Sequence, residues 1–588
     1  MAFLLLSSAL AYLVWTVASL EANVRRARAL GLPFVRIPFG VNSYAWVIVQ
    51  PLVWRLLVCL PIPWRSYPDF VRYSHRNWHF LEKSRPTASL GPAWALVSPQ
   101  GITLHFADPD VIDDIFSRWR DFVRPVKKHA GHLRAIRLYR GFGGLAPPSQ
   151  GRGGPVRPAS DGVGVEGNAA AHAVGGFRLP LAGSKRLTRG RRRSMVHGWV
   201  ARTRSRVPSL DNDLRTLTFN VLGATAFREP AGTQSHVGPR HGETATQTIT
   251  QSYRDTLQTV IENAILLMIV PYHLLLGTRV PKRLAKAGHA AASFKSILLN
   301  VLAEETAALD DHAPGRGGLL TPLVRALRPD VPEQAKNGAT ATSARVKKGG
   351  LSADEILGNS FVINFAGHDT VLLTLNFALT MLAVHPDVQE WLGEEITAVS
   401  GPTPVEQWDY DLFPRLKRCQ AGFLETLRVF APITGIPKMA SDKAPSLRVG
   451  DRLQAIPPGT EVFPLLVGVQ TDPRYWKDPY EWRPSRWIVR GPAGQEQLFE
   501  PRKGIYFPWA GGPQNCAGKM FSQVEGVAVL AGLLRGHRLR VEAEAGETPG
   551  QARSRTRACA DDVNYDLLLR MNHPERVKLR CVRYDTGE

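Results

Sequence analysis

The apolar run that starts after Ser352 and ends at Val384 constrains this chain more than any other feature. Ser352-Ala353-Asp354-Glu355 reads as a capping box, with Leu351 and Ile356 placed as a hydrophobic staple. Apolar residues then recur at helical spacing until His385-Pro386 stops them. A helix of about 32 residues is roughly 48 Å long and crosses a whole domain. Its middle reads Ala366-Gly367-His368-Asp369-Thr370. Two small residues open a groove beside the helix. The threonine hydroxyl is free to bond a backbone carbonyl or a guest molecule. Asp369 is an ionisable group in an otherwise apolar stretch. The plainer reading is small residues for packing and a surface position for Asp369.

The N-terminal third sets the organisation. Ala2 to Leu20 is uncharged and mostly apolar, and at the helical rise it spans about 28 Å, close to a bilayer core. Arg25, Arg26 and Arg28 follow it, so a single-pass anchor with the bulk of the chain on the cytoplasmic side is expected. A cleaved signal peptide fits less well, because no charged region precedes the run. Tyr44 to Leu60, broken by Gln50, Pro51 and Arg55, reads as an interfacial segment with Trp46 and Trp54 at headgroup level. Pro61 and Pro63 end it, and the globular part is expected from near Ser66. The division is therefore an anchor over 1–22, a membrane-proximal segment over 23–65 and one domain over 66–588.

Within that domain, residues 141–200 are atypical, Gly- and Arg-rich, with 13 glycines between 141 and 190 and no persistent period. The basic cluster Lys185, Arg186, Arg189 and Arg191 to Arg193 belongs to it. No aromatic residue interleaves those arginines, so a loop with solvated charge is the expectation and nucleic acid is not an expected partner. Gly162, Gly164 and Gly167 spell G-x-G-x-x-G, but no strand pattern precedes them, so the chain shows no nucleotide site of its own. Helical spacing returns over Asp213–Ala226 and Tyr253–Leu276, and Asp310–Gly350 reads as a loop-rich linker. Lys plus Arg is 73 against 51 Asp plus Glu, a surplus of 22 that suits an anionic membrane face or an acidic protein partner. Five cysteines in 588 residues exclude a disulfide scaffold.

Chemistry concentrates in the last third. Leu416 to Phe430 reads as a helix with Glu425 and Arg428 at i and i+3. Arg486, between Trp482 and Trp487, is placed to complete a Glu–Arg–Arg cluster. The loop from Phe507 to Gly518 then leads to Cys516 and a helix marked by Phe521, Val524, Ala528, Ala531 and Leu534. A cysteine at a helix N-terminus meets free N–H groups and the positive dipole end, which stabilise a thiolate. Glycines let such a loop approach a flat ligand closely, and a thiolate so placed is able to ligate haem iron. Taken singly, these are an exposed ion pair and a buried, inert cysteine.

Taken in order, A-G-x-D-T, E-x-x-R, P-x-R-W and W-x-x-G-x-x-x-C-x-G resemble the cytochrome P-450 family, and its fungal members most closely. The resemblance covers about 66–140 and 211–588, together with the anchor. It implies a mainly α fold with a small β-rich lobe. It implies haem as cofactor with Cys516 as the axial ligand, and Trp509, Gly512, Gly518 and Gln514 around it. Lys438 would meet a haem propionate. Ala366 and Gly367 would shape the oxygen groove, and Thr370 and Asp369 would supply protons while O2, the co-substrate, is activated. Glu425, Arg428 and Arg486 would lock the fold behind the haem. Electrons would come from a separate NADPH-cytochrome P-450 reductase at the endoplasmic reticulum membrane, docking on the Cys516 side. The substrate would be a small apolar molecule, lined by Ile363, Ile433 and Thr434, in fungal secondary metabolism. Three positions depart from the family pattern. Trp509 stands where many members have Phe. Gln514 stands where Arg or His pairs a propionate. The W-x-x-x-R helix expected between about 140 and 200 is missing, since Trp119 and Trp199 lack an arginine four residues on. Two other readings stay open: a catalytically impaired protein that keeps this fold and its anchor, and a haem-thiolate enzyme that needs no reductase.

Overall fold

The computed structural model describes residues 2–41, 43–125, 206–223, 256–310 (apart from 261, 264, 265, 268 and 269), 353–565 and 568–584, with 199, 321 and 324. The Gly-rich segment, its basic cluster, the glycine triplet, most of the 310–350 linker and the Ser352 cap lie outside the described residues.

The sheet gathers the two ends of the chain. Strand β1 (Phe34–Arg36) pairs in parallel with β2 (Ala93–Ser98), which turns back into antiparallel β3 (Gly101–Phe106). All six residues of β2 are buried, as its apolar run AWALVS requires. The order continues from β3 to β8 (Glu461–Pro464), β5 (Lys438–Ala440) and β4 (Phe122–Val123), while β6 (Ser446–Val449) and β7 (Arg452–Ala455) form a separate hairpin. Helix α1 (Ala2–Ala29) ends against this sheet: Val24 and Ala27 are fully buried, and the Asn23 amide donates to the Ser98 and Pro99 carbonyls at 3.0 and 3.3 Å. Residues from about 20 onward are thus part of the sheet's body, well before Ser66.

Helix α2 (Tyr44–Val58) is capped by Ser43, whose hydroxyl accepts from the Trp46 N–H. The expectation that Trp46 and Trp54 sit at headgroup level is corrected. Trp46 is buried, stacked on Phe39 and bonded through its indole to the Ser74 carbonyl, and Trp54 packs against Trp64 and His75. Both rings face protein because Phe39 before the helix and Trp64, Ser74 and His75 after it supply their partners.

Helix α3 (Pro109–Ser117) is capped by Asp108 and packs against the loop that carries Cys516. Helix α4 (Leu210–Leu222) begins at Ser209. The helix expected over Tyr253–Leu276 does not reach its end: Pro271 has no N–H to donate, and Tyr272–Leu276 is a 3-10 turn. Helix α5 (Lys282–Asp310) follows, with Gly288 beneath Leu275, where a Cβ would come within 2.6 Å.

At the centre is α6 (Ala353–Val384), in which every residue from Val371 to Ala383 is buried. Around it lie α4, α7 (Pro386–Ser400), α8 (Lys417–Val429) and α9 (Lys519–Leu534). Pro386 starts α7 where a proline is tolerated, at the first turn. Among the described residues, the helix long and apolar enough to cross a membrane is Gly358–Val384, which is this core helix. The N-terminal helix, expected to be the span, is not picked out by that measure; its apolar residues from Leu10 to Val17 are exposed.

Candidate active site

The Glu425 cluster is built on α8. Arg428 grips Glu425 with two hydrogen bonds of 2.8 Å, and both side chains are fully buried. The spare guanidinium protons go to the carbonyls of Gln470, Pro479 and Glu481 at 2.7 to 2.9 Å. Glu425 also accepts from Arg486 at 2.9 Å, from the Trp487 indole at 2.8 Å and from the Arg483 N–H at 2.8 Å. A charge taken out of water is tolerable only when paired and fully hydrogen-bonded, and both conditions are met here. The exposed i, i+3 pair of the plain reading is thus a saturated network. Glu395 of α7 holds the start of α8 from outside, accepting the N–H groups of Arg418 and Cys419.

Cys516 lies just before α9, whose N-cap is Gly518. Its N–H donates to the Trp509 carbonyl at 3.0 Å, which folds the loop back on itself. Cys516 as a residue is exposed. The protein around it still desolvates the thiol and pushes its pKa up, while the Gly518 N–H pulls it down. The helix terminus alone does not make a thiolate here; a bound cation would. Trp509 is fixed by its indole, which donates to Ser522 on α9 at 2.9 Å.

The glycines divide in function. Gly512 has φ +67°, and a Cβ there would come within 2.2 Å of the Phe116 carbonyl, so this glycine lets the loop close on α3. At Gly518 a Cβ would meet only the Cys516 sulfur, at 3.8 Å, so that side stays open.

On α6, Ile363, Ala366 and Thr370 share a face at i, i+3 and i+7. The Thr370 hydroxyl donates to the Ala366 carbonyl at 2.8 Å, and Ala366 is exposed. Gly367 points elsewhere: a Cβ would lie 3.2 Å from Leu222 of α4, so its smallness serves helix contact rather than the groove. Leu222 also packs with Ile363 and with Phe521 of α9, which brings the threonine helix and the cysteine helix to one place. Asp369 is not at the surface. It is fully buried, with one oxygen 3.4 Å from Arg215 of α4 and the other bonded to Arg570 in the strand Leu569–Met571. Neither arginine gave a sequence signal, because they lie 154 and 201 positions away.

Lys438, the first residue of β5, is buried and donates to the Gln514 side-chain carbonyl at 2.9 Å. Burial, and then the neighbouring Arg124 charge, lower its pKa to about 8. Among the described residues no carboxylate pairs with it. A desolvated ammonium beside the cysteine loop fits a group that carries its own carboxylate, as a haem propionate does. Arg124 was missed by sequence reasoning, since nothing local to Val123-Arg124-Pro125 marks it. Ile433 is partly exposed and Thr434 is buried, so of these two expected lining residues Ile433 has the open side.

The family model for cytochrome P450 matches residues 187–555. A cytochrome P450 monooxygenase of Arthrobotrys oligospora is 28% identical over 96% of this chain and 95% of its own. One of Penicillium roqueforti is 23% identical over 90% of each chain. The phomenoic acid biosynthesis cluster cytochrome P450 monooxygenase of Leptosphaeria maculans is 23% identical over 94% of each. A crystal structure of a cytochrome P450 superposes with a TM-score of 0.57 at 16% identity, covering 85% of this chain and 97% of that one, and shows the same fold. With its mainly helical body and small sheets, the chain belongs to the cytochrome P450 family, whose members are haem-thiolate oxidoreductases that incorporate oxygen from O2.

Proposed function

We propose that this protein is a membrane-anchored monooxygenase that places one oxygen atom into a small apolar substrate, with electrons from a separate NADPH-dependent reductase. The observation that carries the reading is the Cys516 loop: an exposed cysteine under the Gly518 N–H, with a buried lysine that bonds Gln514 of the same loop and meets no carboxylate among the described residues. Cys516 would hold the haem iron, and Lys438, steadied by Gln514 and joined by Arg124, would meet a propionate. The bound haem supplies the oxygen chemistry; the protein binds, orients and excludes water. Thr370 would pass a proton at its hydroxyl into the cavity, with the Ala366 carbonyl as its resting partner. Asp369 stands next in line, and it moves a proton only when Arg215 or Arg570 lets go. Glu425, Arg428 and Arg486 hold the wall behind the cysteine loop.

A role in secondary metabolism is supported by the relative from the phomenoic acid cluster. The uncharged Ala2–Leu20 half of α1 would anchor the chain in the endoplasmic reticulum membrane, with the catalytic domain cytoplasmic.

The test is the spectrum of the reduced, carbon-monoxide-bound protein. A thiolate-type Soret band that disappears in Cys516→Ala is expected; a band that survives that substitution rejects the ligand. For Thr370→Ala, haem content is expected to stay unchanged while most electrons are lost to peroxide or water. Full coupling in that variant rejects the proton role. Gln514 in place of a cation favours a second reading, a haem-binding protein without turnover. Stoichiometric haem with no reductase-driven oxygen uptake would select it.

A further inference from the structure

We infer that the chain has a second ligand site, a cleft at the start of α7 that takes an aromatic carboxylate. The site neither uses nor needs the haem chemistry proposed above.

The cleft encloses about 560 Å³, enough for a small organic molecule. Its lining comes from His385 and the first turns of α7, from residues 481–485, and from Arg557 of α10 (Pro549–Asp561). None of these residues belongs to α6, to β5 or to the Cys516 loop.

The walls are set before any ligand arrives. Trp482 is buried, and its indole donates to the Thr426 hydroxyl at 3.0 Å. The His385 ring lies 5.5 Å from it, tilted by 31°. Trp391 adds a second indole, with the Arg418 guanidinium 5.1 Å from its ring. The Glu481 carbonyl and the Arg483 N–H bond to Arg428 and Glu425, so this wall is fastened to the buried network on α8. Fixed aromatic walls around such a volume suit a flat ring.

Charge selects what the ring carries. Arg557 spends its Nε and Nη2 on Asp561, at 2.9 and 3.2 Å, and its Nη1 has no partner among the described residues. Arg553, one turn earlier on α10, and the His385 ring make no hydrogen bond or ion pair among the described residues. These groups face one another: burial lowers the His385 pKa, Asp387 raises it, and Arg557 and then Arg553 lower it. Lys83 stands beyond them, 4.5 Å from the Phe80 ring, which stacks on Phe430, the ring beside Arg557. Among the described residues it meets no carboxylate either. On the acid side, Glu481 turns to Arg483 at 3.9 Å, and Arg483 also holds Asp478 at 3.0 Å. Asp387 is the acid of the rim with no cation at salt-bridge distance among the described residues. Donors without acceptors need an anion, and the Asp387 charge limits how negative it can be. A carboxylate, with one charge and two acceptor oxygens, meets both conditions.

The test is a calorimetric titration of the full haem-loaded chain with 2-naphthoate, the haem iron being ligated by 4-phenylimidazole so that the probe is kept out of the haem pocket. One equivalent is expected to bind. Affinity should fall about tenfold in Arg557→Gln, the loss of one charge-assisted bond. It should vanish in Ser485→Trp, where an exposed residue of the lining fills the cleft. Both variants are expected to keep the carbon-monoxide spectrum. Arg553→Gln, which removes no bond of the fold, should weaken binding by about threefold through the lost field alone. No binding by the parent chain, or binding unchanged in Ser485→Trp and in Arg553→Gln, overturns the site. 2-Naphthol bound as tightly as 2-naphthoate overturns the charge argument, and acetate bound as tightly overturns the need for a ring. Tighter binding of 2-naphthyl phosphate overturns the choice of a carboxylate.

Discussion

The Glu425 and Lys438 regions both bury charge, and they differ in whether the protein alone completes it. Around Glu425 every proton and lone pair has a partner from the chain, with two arginines, an indole, a backbone N–H and three carbonyls. Among the described residues Lys438 has only neutral partners, the Gln514 side chain and the Phe116 ring, and a second cation for a neighbour. The first region is finished when the chain folds. The second is finished only by an anion that the described residues do not supply. Structural and ligand-binding charge are thus told apart by counting partners, where burial alone would class them together.

The largest break in this contrast is Arg428→Ala. It leaves Glu425 with Arg486 as its remaining cation and takes a donor from the Gln470, Pro479 and Glu481 carbonyls, and a loss of about 3 kcal/mol in unfolding free energy is expected by chemical denaturation, haem present or absent. Arg428→Lys is not expected to rescue it, because a point charge cannot reproduce the two-pronged grip.

Lys438→Met should act in the opposite sense on the two states. Transfer of haem to apomyoglobin should become faster by about tenfold or more, the loss of one bond to a charged group. The haem-free protein should not lose stability. The pH dependence follows from the lowered pKa. Between about 8 and 10.4 the unfolded chain holds the lysine proton and the folded apoprotein does not, so stability should rise with pH across that window. Below pH 8 the contribution should be flat. Lys438→Met should remove the slope, and a slope that persists would place its origin in another group.

The smallest effect sharpens the contrast from a third side. Glu525 of α9 is buried, and neither carboxylate oxygen has a partner among the described residues. Burial drives its pKa well above the usual carboxylate range. The unfolded chain releases this proton above about pH 4.3 and the folded one keeps it, so the residue costs stability as pH rises. Glu525→Met, similar in volume, is expected to raise stability at neutral pH by about 1 kcal/mol, with little gain at pH 4. A loss at pH 7 would mean that the carboxyl has a partner in the working protein.

The sequence was informative where chemistry is local. Glu425 and Arg428 meet because three residues make nearly a full turn, and the cysteine loop announces itself by its glycines and the helix after it. What stayed hidden depends on long-range closure. Asp369 could be seen as an ionisable group out of place, but Arg215 and Arg570 reach it only through folding. The glycines were legible as conspicuous residues and misleading as to purpose: Gly367 admits Leu222, and Gly512 admits the Phe116 backbone. A glycine in a string does not say what approaches it. Trp46 and Trp54 fit a membrane-surface pattern in the string, but partners at Phe39, Ser74, Trp64 and His75 turned both rings inward.

Asn23 clasps the turn between β2 and β3, and Val24 and Ala27 are sunk in the same sheet. The first helix is therefore a mast stepped into the hull, with no slack rope between them. Whatever grips its outer half also sets the heading of the whole enzyme, and a tilt imposed at residue 10 arrives undiminished at the strands.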